Sequence, residues 1–135
     1  MKAFPLVILS LAASTALAAT PAELLATYRA EAAKVAPNFQ PSAGRGAEFF
    51  ARRFGISAKM PACTSCHTEK PTQAGRHVVT DKAIKPMAPA ANSQRFTDLA
   101  KTEKWFGRNC KEVVGRECTA AEKADFVAFM MEARP

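Results

Sequence analysis

Two of the four cysteines and one of the two histidines in this 135-residue chain lie within five residues, as Cys63, Cys66 and His67. The spacing C-x-x-C-H is typical of c-type haem attachment, in which both thiols bind the haem edge and the histidine binds the iron. The sequence therefore predicts one covalently attached haem c with His67 as the proximal ligand. A zinc site or a thioredoxin-like redox pair is the alternative, but the sequence shows the context of neither.

A second group of residues follows in the C-terminal half. Trp105, Phe106 and Asn109 share one face of a predicted helix, which makes them candidates to cover the haem. An asparagine in an apolar pocket needs a partner for its amide, and the iron is one such partner. Asn109 could instead end the helix or bond to the backbone, and the residues alone leave both interpretations open. Cys110 and Cys118 lie outside the haem motif, so in an exported chain we expect a disulfide between them.

Other side chains compete for the far face of the iron. Met87 follows His67 by 20 residues, which is earlier than the ligand methionine of class I cytochromes c normally arrives. His77 follows His67 by only ten residues, a loop that would have difficulty crossing the ring. Met60 is too close to the attachment site, and Met130 fits the apolar face of the last helix. Met87 remains the main alternative to Asn109.

The N-terminus predicts export to the periplasm. Residues 1–18 contain an early Lys2, an apolar run and a small-residue motif that ends at Ala18, as in a secretory signal peptide. The apolar run is shorter than the roughly 20 residues that a bilayer span requires, so we expect no stable membrane insertion. The formal charge of +7 would steer acidic redox proteins or simply favour solubility, and no nucleic-acid partner is expected.

Helical patterns dominate the rest of the chain, and no strand pattern is evident. Capping boxes predict one helix that starts at Thr20 and runs to about Val35, and a last helix that starts at Thr119. We also expect helices over residues 42–55 and 97–110, with mostly loop over the proline-containing residues 71–92. The predicted divisions are a signal peptide over 1–18, an N-terminal helical extension over 19–41 and a haem domain over 42–135.

This order of elements is similar to that of class I cytochromes c. In that class, a helix with a glycine and aromatic residues precedes the haem motif and crosses the C-terminal helix. The resemblance implies an all-α fold, a class I cytochrome c-like helical domain wrapped around the haem. Here Gly46 and Phe50 would meet Phe126 and Phe129.

Four short segments carry a more specific resemblance: IKPMAP at 84–89, RFTD at 95–98, EKWFGRNC at 103–110 and GREC at 115–118. They resemble the sphaeroides haem protein type, a class I-like cytochrome c. The resemblance implies Asn109 as an axial ligand, a disulfide between Cys110 and Cys118, and no ligand role for Met87. It also implies binding of oxygen and nitric oxide, and electron exchange with a dihaem cytochrome c and a membrane cytochrome b.

The expected function is therefore that of a periplasmic monohaem cytochrome c, with His67 and Asn109 on the iron, which carries electrons and binds diatomic gases when reduced. The alternatives are an ordinary carrier with Met87 as the ligand, and a haem enzyme that acts on peroxide or nitrogen oxides. No constellation of a second histidine with carboxylates flanks Asn109, which favours a carrier over an enzyme. We further expect a carbonyl near Pro71 to accept a hydrogen bond from His67. The residues expected to face the haem propionates, unless they form only a solvated basic loop, are Arg76, His77 and Lys85.

Overall fold

The computed structural model of the chain describes residues 19–135. This range contains five helices and one pair of short strands: α1 (Pro21–Ala33), α2 (Ala43–Ala51), α3 (Thr64–His67), β1 (Gly75–Arg76), β2 (Ala83–Ile84), α4 (Leu99–Val113) and α5 (Ala120–Glu132). The signal peptide expected over residues 1–18 lies outside the described range. Within that range, no helix combines the length and the apolar character needed to cross a bilayer.

Local sequence patterns fix where the helices begin. Both expected capping boxes are present, with Thr20 and Glu23 at the start of α1 and Thr119 and Glu122 at the start of α5. The helix ends differ by a few residues from expectation. α2 stops at Ala51, four residues before the expected end, and α4 continues to Val113.

The closest helix crossing places α2 against α5 at Gly46, as expected. A Cβ atom at this position would overlap the carbonyl oxygen of Asp125 and would lie 2.8 Å from the Cβ of Phe129. One turn along α2, the Phe50 ring packs against Phe126 and Phe129, with centroid separations of 5.9 and 5.7 Å. The contact predicted between the glycine-containing helix and the C-terminal helix is confirmed.

Polar contacts hold the same crossing at the start of α2. The Asp125 side chain, 9% exposed, accepts hydrogen bonds from the backbone N–H of Ser42 at 2.7 Å and from Arg45 Nε at 2.7 Å. Ser42 in turn caps α2, since its hydroxyl oxygen accepts from the Arg45 backbone N–H at 3.3 Å. The buried carboxylate is therefore both paired and hydrogen-bonded, as a buried charge requires.

The N-terminal helix α1 contributes to the same core. Leu24, Tyr28 and Ala32 recur every four residues and are buried against α5. Leu24 and Tyr28 belong to one hydrophobic cluster with Phe126 and Met130. The segment interpreted as an extension of the haem domain therefore packs within the core of that domain.

Long side chains attach α4 to this core. The Phe106 ring meets Tyr28 and Phe126 edge-on, with centroid separations of 5.8 and 5.4 Å. The Glu103 carboxylate accepts from the Tyr28 hydroxyl at 2.6 Å and from Lys123 Nζ at 2.7 Å. Three helices meet at Glu103, because Tyr28 belongs to α1 and Lys123 to α5.

The loop after the haem motif contains the two strands, which pair antiparallel with Gly75 opposite Ile84 and Arg76 opposite Ala83. The sequence analysis found no strands in this segment. Two-residue strands are too short to show the alternation by which strands are recognised in a sequence. The rest of residues 71–92 is loop and turn, as expected.

We predict that Gly46→Ala destabilises the fold by roughly 1–3 kcal/mol, because the added methyl group must displace the α5 backbone. Gly44→Ala is the matched control on the same helix, where a Cβ would lie 3.7 Å from the Ser42 hydroxyl oxygen. It should be neutral or stabilise the helix by up to about 1 kcal/mol. Urea unfolding followed by circular dichroism measures both. Equal stability of the two variants would contradict the tight crossing.

A second prediction concerns Tyr28→Phe, which removes one hydrogen bond to the Glu103 carboxylate. We expect a loss of about 1.5 kcal/mol at neutral pH, the lower end for a hydrogen bond to a charged group. Burial raises the pKa of Glu103, but hydrogen bonds from Lys123 and Tyr28 outweigh it and the net pKa is lowered. The stabilisation is therefore present above the ordinary carboxyl pKa and is lost as pH falls through the lowered value.

The difference in free energy of unfolding between wild type and Tyr28→Phe should consequently become smaller in acid. Lys34→Gln, at the residue that follows α1, is the control, because it breaks only an exposed pair with Glu31. It should change the free energy of unfolding little at any pH. A Tyr28→Phe effect that is unchanged in acid would show that Glu103 does not provide the stabilisation.

Candidate haem site

The haem motif forms one short helical turn. Cys63 caps α3 and His67 ends it, with the His67 backbone N–H donating to the Cys63 carbonyl at 3.1 Å. Thr68 then takes a left-handed conformation with φ of 62°, which turns the chain away. Cys63 and Cys66 are both free of disulfide bonding. Because they lie three residues apart on a helical turn, the two thiols share one face beside the imidazole.

The His67 side chain is held in an apolar setting. Its ring centroid lies 6.5 Å from that of Phe50, which belongs to the core. Its Nδ1 atom is the one buried side-chain nitrogen or oxygen atom without a hydrogen-bond partner within residues 19–135. Burial, together with the charges of Arg95 and His77, lowers the pKa of His67 to about 4. The imidazole is therefore neutral near pH 7, which is the form that ligates a metal.

The thiol of Cys63 is likewise kept in its neutral form. Burial raises the pKa of Cys63 to about 11, with a smaller contribution from Cys66. This donor set fits a covalently attached haem. It consists of two free thiols and a neutral imidazole, and a buried nitrogen of that imidazole has no protein partner. Cys63 and Cys66 would supply the thioether links, and His67 would supply the proximal nitrogen. The zinc alternative would draw on His77, Cys110 or Cys118. The two cysteines are joined in a disulfide, and His77 Nδ1 accepts hydrogen bonds from its own turn.

The hydrogen bond expected from His67 to a carbonyl near Pro71 is not formed, and the Pro71 carbonyl itself has other partners. That carbonyl instead accepts from the backbone N–H groups of Met87 and Ala88, at 2.8 and 2.9 Å. These bonds fold the segment containing Met87 back onto the residues that follow the haem motif. Met87 is half-buried, and its side chain packs against the hydrophobic core.

Gly75 brings the first strand against the haem motif. A Cβ atom at Gly75 would overlap the carbonyl oxygen of Cys66 and would lie 3.0 Å from the Cα of His67. The backbone of β1 therefore passes directly over the end of α3, and only glycine allows this approach. The signal in the sequence was limited to one glycine in a loop, which does not reveal what the loop contacts.

The three candidate residues of α4 lie in different surroundings. Phe106 is buried in the core, whereas Trp105 is 43% exposed and lies beneath the guanidinium of Arg108 at 5.9 Å. Asn109 is half-buried. Among the hydrogen bonds formed within residues 19–135, none involves its side-chain amide. The three residues expected on one face therefore differ: Phe106 lies in the core, Trp105 lies at the surface, and Asn109 is half-buried with no hydrogen bond to its amide.

A disulfide joins Cys110, the residue after Asn109, to Cys118, with 5.7 Å between the Cα atoms. The enclosed segment holds the last turn of α4 and Gly115, whose φ of 80° favours glycine. A Cβ at Gly115 would lie 2.9 Å from the Cδ1 atom of Ile56. The loop that leads into the haem motif therefore touches the disulfide loop that follows Asn109.

The basic residues expected near the haem carboxylates are engaged in other ways. Arg76 pairs with Asp81 at 3.2 Å, and His77 Nδ1 accepts from two backbone N–H groups of its own turn at 3.2 Å. Lys85 is exposed, and its backbone carbonyl accepts from the guanidinium of Arg95 at 2.6 Å. Arg95 itself, for which the sequence suggests no role in the site, is half-buried.

Comparison with known proteins gives consistent matches. Residues 36–130 match the family described as "Domain of unknown function (DUF1924)", a range that includes the haem motif, α4 and most of α5. Cytochrome c-type protein SHP of Cereibacter sphaeroides is 47% identical over 112 residues, which cover 82% of this chain and 82% of that protein.

Two solved structures have the same fold. Oxidised SHP, described as an oxygen-binding cytochrome c, has a TM-score of 0.76 and 43% identity, over 84% of this chain and 96% of that one. Cytochrome c'' of Methylophilus methylotrophus, solved in solution for insight into haem-ligand detachment, has a TM-score of 0.74 and 38% identity, over 83% and 92%. The predicted all-α, cytochrome c-like fold is confirmed.

We predict that Gly75→Ala lowers the amount of covalently attached haem per polypeptide, because the new methyl group must push β1 away from Cys66 and His67. The cost of such overpacking is roughly 1–3 kcal/mol. Gly107→Ala is the control, since a Cβ there meets nothing within 4 Å. The pyridine haemochrome absorbance divided by protein concentration measures the ratio. A normal ratio in Gly75→Ala would show that this contact does not position the motif.

Proposed function

The chain belongs to the family of SHP-type c-type cytochromes, and from that membership we propose that it is a periplasmic monohaem cytochrome that carries electrons and binds diatomic gases when reduced. The single C-x-x-C-H motif supports one haem, held by Cys63, Cys66 and His67. A haem held in this way would supply an iron that exchanges one electron and, opposite His67, takes a second ligand.

The observation that carries this proposal is the environment of Asn109. Asn109 is half-buried, and its side-chain amide makes no hydrogen bond within the described residues. Phe106 anchors the preceding turn in the core, and the disulfide at Cys110 anchors the following residue. The backbone is thus fixed before and after Asn109, while its amide makes no hydrogen bond. This suits a residue whose partner is the iron.

The chemistry of an amide ligand explains why gas binding would depend on the oxidation state. A neutral amide oxygen is a hard and weak donor, so Asn109 should bind ferric iron better than ferrous iron, whereas the imidazole of His67 serves both. Reduction should therefore release Asn109 and leave His67 attached. The relative from M. methylotrophus has been studied for haem-ligand detachment, which supports release of a ligand as a property worth testing in this chain.

The charge of the chain supports a role in electron exchange with acidic partners. Within residues 19–135, no carboxylate lies in salt-bridge contact with the cations that flank the haem motif in sequence, namely Arg52, Arg53, Lys59 and Lys70. These unpaired positive charges would attract an acidic redox protein at low ionic strength. We propose a dihaem cytochrome c and a membrane cytochrome b as the partners.

The decisive variants are Asn109→Met and Met87→Leu. In the oxidised wild type we expect no sulfur-to-iron charge-transfer band, and in the reduced wild type a high-spin spectrum that changes on addition of carbon monoxide. Asn109→Met should remain low-spin in both states and bind carbon monoxide at least about tenfold more weakly, a difference of about 1.4 kcal/mol. Met87→Leu is the control and should behave as the wild type does.

The opposite pattern would identify an ordinary His/Met electron carrier. A charge-transfer band in the oxidised wild type that disappears in Met87→Leu would assign the sulfur of Met87 to the iron. A low-spin ferrous wild type that ignores carbon monoxide would remove gas binding from the function. Steady peroxide turnover well above that of free haem would favour the enzyme alternative.

A further inference from the structure

Arg95 lies in the loop between β2 and α4, where its side chain binds the backbone of the residues that follow β2. Its Nε atom donates to the carbonyl of Pro86 at 2.8 Å, and its Nη2 atom donates to the carbonyl of Lys85 at 2.6 Å. Asn92 donates to the same Pro86 carbonyl at 3.1 Å. These bonds use one side of the guanidinium and fix its plane, so little further ordering is needed when another group binds it.

No acidic side chain within residues 19–135 neutralises this cation. The ion pairs formed there involve other residues, and the contacts of Arg95 are neutral carbonyl groups. Burial lowers the pKa of Arg95, and no acid offsets that effect. Arg95 is half-buried, and partial removal of a guanidinium from water is unfavourable when no counter-charge offsets the lost hydration. An anion bound to Arg95 would therefore stabilise this arrangement, and the described residues do not provide one.

Backbone contacts place this cation on the side of the haem motif. Lys85 and Pro86, whose carbonyls bind Arg95, directly precede the two residues that donate to Pro71, four residues after His67. An anionic group of a cofactor attached at Cys63 and Cys66 would therefore come close to the guanidinium.

We propose that Arg95 is a positioning residue that binds a carboxylate of the attached haem through the free side of its guanidinium. A planar guanidinium matches a carboxylate with two parallel hydrogen bonds, which a lysine cannot reproduce. Arg76 and His77 are committed to their own hairpin, so Arg95 is the better-prepared cation near the motif. The inference rests on the proposed covalent haem and adds the residue that sets its orientation and potential.

The test compares Arg95→Gln, Arg95→Lys and Lys82→Gln as full-length haem-loaded proteins. Lys82→Gln is the charge-matched control, because it removes one positive charge from an exposed position on the nearby hairpin. The readouts are the reduction potential as a function of pH and the carboxylate bending band in the resonance Raman spectrum. Neither readout responds to a loss of stability alone.

Arg95→Gln should favour the ferric state by about tenfold, which lowers the reduction potential by about 59 mV for one electron. Without its guanidinium, the haem carboxylate should protonate at a higher pH, so the potential should vary with pH more steeply than in the wild type. Arg95→Lys should have a reduction potential close to that of the wild type, because the positive charge is retained. Its Raman band should shift, since the ammonium cannot make the paired hydrogen bonds. Lys82→Gln should leave the band in place and shift the potential only slightly, because solvent screens an exposed charge.

The proposal is overturned if Arg95→Gln matches Lys82→Gln in both readouts. Should Arg95→Gln fail to accumulate as a folded haem protein, Arg95→Lys decides, and an unmoved Raman band overturns the proposal. These outcomes are separate from those of the proposed function. A wild type that holds haem but ignores carbon monoxide would contradict gas binding and leave the carboxylate assignment to be judged on its own readouts.

Discussion

The close approach of α2 to α5 at Gly46 is the constraint on which the rest of the structure depends. With no side chain at Gly46, the α2 backbone reaches the carbonyl of Asp125, and the carboxylate of the same residue holds the start of α2. This crossing brings Phe50 between the aromatic face of α5 and the ring of His67. The haem motif is therefore positioned by the packing of two helices, although it belongs to neither of them.

The helix that carries Asn109 is fixed to the core in a different way. α4 is fastened by a few long side chains and by a covalent bond, through Glu103, Phe106 and Cys110. These fastenings lie before and after Asn109 and do not use its side chain. Under the proposed ligation, this arrangement would keep Asn109 close to the iron while leaving its side chain free to exchange partners. A rigidly packed ligand would favour permanent six-coordination, so this freedom suits a site that opens on reduction.

Much of the fold was predictable because its signals are local. The capping boxes, the haem motif and the spacing of Gly46 and Phe50 are readable within a few residues, and the structure places these features as expected. The sequence interpretation placed Trp105 and Phe106 on one face of α4, and the structure separates them. Neighbouring residues on a helix point about 100° apart, so Phe106 enters the core while Trp105 stays at the surface. The surroundings of Arg95 and the backbone N–H groups that donate to the Pro71 carbonyl depend on contacts between separate segments, for which a single sequence carries no local signal.

The central claim is that Asn109 occupies the iron face opposite His67 in the oxidised protein. The most direct test is a crystal structure of the oxidised, haem-loaded protein. The account predicts the side-chain oxygen of Asn109 within bonding distance of the iron, with the disulfide at Cys110 intact beside it. The sulfur of Met87 in that position, with Asn109 turned to solvent or to the backbone, would contradict the account.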